Sequence, residues 1–137
     1  MARDSLHYIV RSALEKDGWN ITDDPLKIIC RDVDMDIDLA TGCFIAAEKS
    51  GENIAVQIQS FLSSSILSEF HTALGQFVNC RTVLSIQQPY RELFLAVPLF
   101  IYNSFFMLPF TQTVVSENQL KIVVYNIESE EIVQWIK

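Results

Sequence analysis

The sequence is poor in the residues that mark several common protein classes. It has 3 cysteines in 137 residues. Cys30, Cys43 and Cys80 lie far apart and form neither a CxxC pair nor a Cys/His cluster, so neither a zinc site nor a disulfide framework is expected. Buried thiols in a reducing cytoplasm are the expectation. Glycine and proline are scarce, 4 of each, and no composition shift, repeat or linker divides the chain. A single domain over 1–137 follows. Basic residues are also few: 10 Lys and Arg against 17 Asp and Glu leave a net charge of −7. With a pI near 4.7, the chain cannot coat nucleic acid by its global field. A DNA-facing role would need a local patch, a metal ion or a partner.

Targeting signals are missing too. Met1-Ala2-Arg3-Asp4 has no apolar run behind it, so no signal peptide is expected. Residues 93–110 carry no charge but are interrupted by Pro98, Asn103, Ser104 and Pro109. They read as a buried strand and then a short helix begun near Pro98, with no membrane contact.

What the sequence does have is apolar content, 50% of residues, which excludes intrinsic disorder. Leu6, Ile9, Val10, Ala13 and Leu14 repeat at helical spacing, predicting an amphipathic helix over 5–17 that stops at Gly18. A short strand is expected at 19–22 and a turn at 23–25. From Asp34 the period becomes two: Asp34, Asp36 and Asp38 alternate with Met35, Ile37 and Leu39. Turns at 40–42 and 50–53 then separate strands at 44–49 and 54–61, giving an antiparallel meander of three strands. A helix follows from the serines at 63–65 to about 85. Strands at 91–97, 120–125 and 132–136 complete the chain, with the short helix and an extended stretch at 111–115 between them. The order α-βββ-α-β-α-ββ implies an α/β fold, a mixed β-sheet flanked by helices.

The meander is where chemistry could sit. A second hairpin centred near Gly51 puts Glu48 on the same face as Gln57 and Gln59, and a first one near Thr41 puts Asp38 across from Phe44. Carboxylates and amides converging there offer the oxygen ligands that Mg²⁺ prefers. The alternating aspartates read equally as the solvated face of an edge strand.

Several segments resemble the XisH family of fdxN element excision controlling factors. They are Ala13-Leu14, Lys16-Asp17-Gly18-Trp19, Ile37-Asp38-Leu39, Ile45-Ala46-Ala47-Glu48-Lys49, Val56-Gln57-Ile58-Gln59-Ser60-Phe61, Phe70-His71-Thr72-Ala73-Leu74-Gly75-Gln76-Phe77 and Ile132-Val133-Gln134-Trp135-Ile136. The resemblance is collinear over nearly the whole chain. It implies a restriction-endonuclease-like fold of the PD-(D/E)xK type and a role in programmed DNA rearrangement in cyanobacterial heterocyst development. It further implies a companion controlling factor, XisI, and a site-specific recombinase as partners. DNA is a further candidate partner and a homodimer one arrangement, while the cytoplasmic location is the expectation from the thiols and the missing signal peptide.

In such nucleases an Asp and the Glu of ExK hold the metal, and the Lys stabilises charge at the phosphate. The resemblance places Asp38, Glu48, Gln57 and Gln59 at the nuclease positions, with Asp38 and Glu48 as the metal candidates. Here the ExK pair has become Gln57 and Gln59. Neither amide carries the charge that dehydrates Mg²⁺ or meets the phosphate. Lys49 has the wrong strand parity to substitute, and Lys27 has no assigned place. Little or no cutting is therefore expected, leaving a non-catalytic regulator ahead of an altered Mg²⁺-dependent endonuclease or a pure protein-interaction module. His7 and His71 match family positions and could border the site from two helices, or each could simply satisfy a hydrogen bond at a helix–sheet junction. Gln76, one turn beyond His71, could touch a phosphate or assist packing. Trp19 and Trp135 read as core residues.

Overall fold

The chain is represented by a computed structural model that describes residues 2–32, 35–38, 43–62 and 64–137, with side chains described outside 1–4 and 30–43. Helix α1 (Ala2–Lys16) ends as its sequence requires. Gly18 takes φ +93, while the Trp19 N–H donates to Leu14 O at 3.0 Å and the Gly18 N–H to Glu15 O at 3.0 Å. A Cβ on Gly18 would lie 3.2 Å from Lys49 Cε, so glycine serves both the left-handed turn and a close approach.

Strands β1 (Asn20–Asp23), β2 (Ile29–Asp32), β3 (Met35–Asp38), β4 (Cys43–Lys49) and β5 (Glu52–Ile58) follow. The β4–β5 hairpin turns through Ser50 and Gly51, both at positive φ, the conformation that a two-residue hairpin loop favours. Helix α2 (Ile66–Gln87) starts at a Ser65 cap, whose side chain accepts from the Ser68 N–H. Then come β6 (Arg91–Pro98), α3 (Leu99–Tyr102), a 3₁₀ turn (Phe105–Met107), α4 (Pro109–Glu117), β7 (Ile122–Asn126) and β8 (Glu131–Ile136).

Six strands form one mixed sheet in the order β1-β4-β5-β6-β7-β8. β5, β6 and β7 run parallel, and the outer pairings are antiparallel. Strand alternation divides the core. One face carries Phe44, Ala46, Ala55, Leu93, Leu95 and Val97 under the Phe70, Ala73 and Phe77 stripe of α2. The other carries Ile45, Ala47, Val56, Phe94, Ala96 and Val123 under Leu6, Val10 and Leu14 of α1. The mixed sheet flanked by helices is thus as read from the sequence.

Three details differ. The three-strand meander does not form: β3 pairs with β2 in a separate two-stranded sheet, with Asp38 opposite Ile29. The edge of β4 that β3 would occupy is taken by β1 and by Leu26, whose N–H donates to Phe44 O at 2.7 Å. Five strands precede α2 in the described chain, and β2 has no counterpart among the strands expected from the sequence. Residues 111–115 are helical in α4, although their β-branched content favours a strand. β7 already pairs with β6 and β8, and Pro109 at the first turn supplies a helix start. Residues 93–110 divide into β6 and α3, and no helix among the described residues is long and apolar enough to cross a membrane.

Candidate functional site

The C-terminal end of β5 faces the start of α2, and here the two glutamines of the motif sit. Gln57 is 1% exposed. Strand parity aims it at α2, where its Nε2 donates to Ala73 O at 3.1 Å and to Gln76 Oε1 at 3.3 Å. These acceptors fix the amide orientation, since a flipped amide would set oxygen against oxygen. Gln57 Oε1 is buried with no hydrogen-bond partner among the described residues. Two residues on, Gln59 Nε2 donates to Glu69 Oε1 at 3.0 Å, and the Ser60 hydroxyl donates to the same oxygen at 2.9 Å. Glu69 lies in the first turn of α2, where the helix dipole favours a carboxylate. The site is thus a polar seam between strand and helix, with a carboxylate beside Gln59.

Other candidates are distributed elsewhere. The register confirms that Glu48 shares the Gln57 face, because Phe44 pairs with Gln57 and Glu48 with Asn53. Glu48 is nonetheless four positions up the strand, roughly 13 Å away at ~3.3 Å per residue. The side chain of Asp38 lies outside the described residues, as does that of Asp36; Asp34 and the turn at 40–42 are not described at all. Gln76 assists packing by accepting from Gln57. His7 and His71 do not border one site: α1 and α2 cover opposite faces of the sheet, and His71 is exposed.

His7 instead donates from Nε2 to Asp24 Oδ1 at 2.6 Å, while Arg11 donates to Asp24 Oδ2 at 2.6 Å. The hydrogen bond with Asp24 raises the Arg11 guanidinium further above its ordinary range. Sequence reading missed Asp24 as an anchor. The signal was the i,i+4 spacing of His7 and Arg11 on one helix face. It also missed Glu69 and Ser60. An acid in the first turn after a capping serine was the available clue.

Lys49 has the expected parity. It lies on the α1 face, donates to Asp17 O at 2.6 Å, and stands 5.8 Å from the Trp19 ring centroid. Trp19 and Trp135 pack at 5.5 Å, and both indole N–H groups donate to Asp17 Oδ2, at 3.2 and 3.4 Å. These residues line a cleft of about 630 Å³ near the β4–β5 turn, at the opposite end of β5 from Gln57. Lys27 is exposed between the buried Leu26 and Ile28.

Of the two metal candidates, Asp38 has a side chain outside the described residues, and Glu48 is remote from Gln57, while Gln59 is held by Glu69. No group of three His, Cys, Asp or Glu among the described residues could hold a metal.

Residues 1–133 match the protein family described as XisH protein. The chain belongs to the XisH family. Two crystal structures are similar to this XisH-family chain over 98% of its length and 100% of theirs. One is an XisH family protein from Nostoc punctiforme, 50% identical with a TM-score of 0.89. The other is an fdxN element excision controlling factor protein from Anabaena variabilis, 49% identical with a TM-score of 0.89. No curated protein matches.

Proposed function

We propose that this XisH-family chain is a controlling factor for excision of the fdxN element, and that it acts without cutting DNA. The observation carrying the second part is the hydrogen bonding of the two glutamines. Gln57 and Gln59 face a carbonyl, an amide and a carboxylate on α2, and neither has a cationic partner among the described residues. A phosphate approaching Gln59 would meet the charge of Glu69, where a nuclease needs an ammonium.

On this reading the fold is that of a PD-(D/E)xK nuclease whose site has become a structural seam. The chain works in the cytoplasm by binding the companion factor XisI, the recombinase or DNA presented by them. Excision is read by amplification across the rejoined chromosome in a strain lacking the gene. Supplying the natural chain should restore it, and supplying Asp38→Ala should restore it equally. Loss of excision with a folded Asp38→Ala protein would return the metal-dependent nuclease to the lead. Purified natural chain and a Gln57→Glu, Gln59→Lys variant are also compared for DNA cleavage with Mg²⁺ or Mn²⁺. Silence is expected of the natural chain; Asp38-dependent cutting by it would overturn the proposal.

A further inference from the structure

Opposite the sheet from α1, the segment joining β6 to β7 leaves an apolar surface uncovered. Met107, Leu108, Pro109 and Phe110 are four consecutive exposed residues, with the fully buried Phe106 and Thr111 on either side. Such a run is unusual on a monomer unless it binds something. Leu62 and Leu67 extend it. Phe61 packs on Phe106 at 5.8 Å, and Phe70 packs on Phe105 at 5.2 Å and on Phe106 at 5.6 Å. Leu62 follows Phe61, and Leu67 lies one helical turn before Phe70, so both are close in the chain to rings of that aromatic cluster. Leu62, Leu67, Met107, Leu108 and Phe110 are each 45–54% exposed.

We infer that this face is the two-fold interface of a homodimer. Area is the first argument. Half-exposed side chains of this size leave on the order of 450 Å² of apolar surface. A stable interface buries ~800 Å² per partner, of which a little over half is apolar. The patch therefore matches one complete half-interface.

Charge is the second argument. Residues 61–68 and 93–116 contain no Asp, Glu, Lys or Arg, in a chain of net charge −7. Two such chains repel, and an uncharged face is where they meet without opposing carboxylates. A charged partner would find nothing here to recognise, whereas a second copy brings an identical neutral apolar face, as an isologous interface requires. Glu69, the next acid along the chain, is engaged by Gln59 and Ser60.

Sedimentation equilibrium over micromolar concentrations tests this. The natural chain should give twice the monomer mass at the upper end. Phe110→Glu and, on a different element, Leu67→Glu should each give the monomer mass, with unchanged circular dichroism. Ile86→Glu, at an exposed apolar position near the far end of α2, should leave the dimer intact. Hydrogen exchange on the natural chain provides a reading free of mutational damage: amides of 105–112 should exchange faster on dilution. A chain that stays monomeric at every concentration would overturn the inference. So would a dimer that survives both patch substitutions, or dilution that leaves exchange at 105–112 unchanged.

Discussion

Replacing Gln57 by glutamate introduces the acid of the ExK pattern and should nonetheless damage the protein. Gln57 donates two hydrogen bonds in a site from which water is excluded. A carboxylate cannot donate either one. Gln76 can turn its amide and donate instead, but Ala73 O cannot, and a buried negative charge would face that carbonyl. An unsatisfied buried group costs about 1–3 kcal/mol and a buried charge without a partner more, so a loss of about 2–4 kcal/mol is expected near neutral pH. With a urea slope of ~2 kcal/mol/M, the unfolding midpoint should fall by about 1–2 M.

The loss should depend on pH. Desolvation raises the new carboxyl's folded pKa above the ~4.3 of unfolded glutamate. Below that unfolded value both states are protonated, and the carboxyl O–H donates to Ala73 O, so most stability is kept. As pH rises through the raised folded value the difference grows, and it is complete above it. Urea titrations of both proteins at several pH values measure this directly. A variant within about 0.5 kcal/mol of the natural chain at every pH would refute the strand-to-helix bonding of Gln57.

Other outcomes can be stated briefly. Burial pushes the Tyr125 hydroxyl pKa strongly up, and that oxygen has no partner among the described residues. Its neutral form is favoured by folding, so stability should be full below the unfolded tyrosine value of ~10 and fall above it. Tyr125→Phe should be neutral or stabilising by up to about 1 kcal/mol and should reduce that alkaline loss, read by thermal unfolding. Asp24→Ala removes the acceptor of both His7 and Arg11 and should cost about 1–2 kcal/mol, whereas Arg11→Gln, at a half-exposed position, should cost under ~1 kcal/mol in the same unfolding assay. Asp17→Ala should remove the acceptor shared by Trp19 and Trp135. Tryptophan emission should shift, with about 1 kcal/mol lost; unchanged emission would contradict the shared contact.

Much of this architecture is written locally. The periods of 3.6 and two, the glycine after the first helix and the turn at Gly51 depend on side-chain spacing and backbone freedom, which neighbours in sequence decide. So does parity, and parity alone placed Glu48 on the Gln57 face and Lys49 on the other. That glutamines stand at 57 and 59, where the ExK pattern of the resemblance has charged residues, is likewise read from the string.

Pairing was decided only in three dimensions. β1 and Leu26 satisfy the β4 edge, so β3 joins β2, and no local signal ranks these long-range competitors. Residues 111–115 are helical because the sheet offers no free strand beside them, against their own propensity. His7 and His71 separate because the crossovers place α1 and α2 on opposite faces. The glutamines acquire their partners only where α2 presents Ala73 O, Gln76 and Glu69 to them. The uncharged stretch 93–110, read as a buried strand and then a short helix, is divided in its burial. β6 is interior, but Met107 to Phe110 are exposed, because the turn into α4 brings them out while Phe106 fills the core beneath.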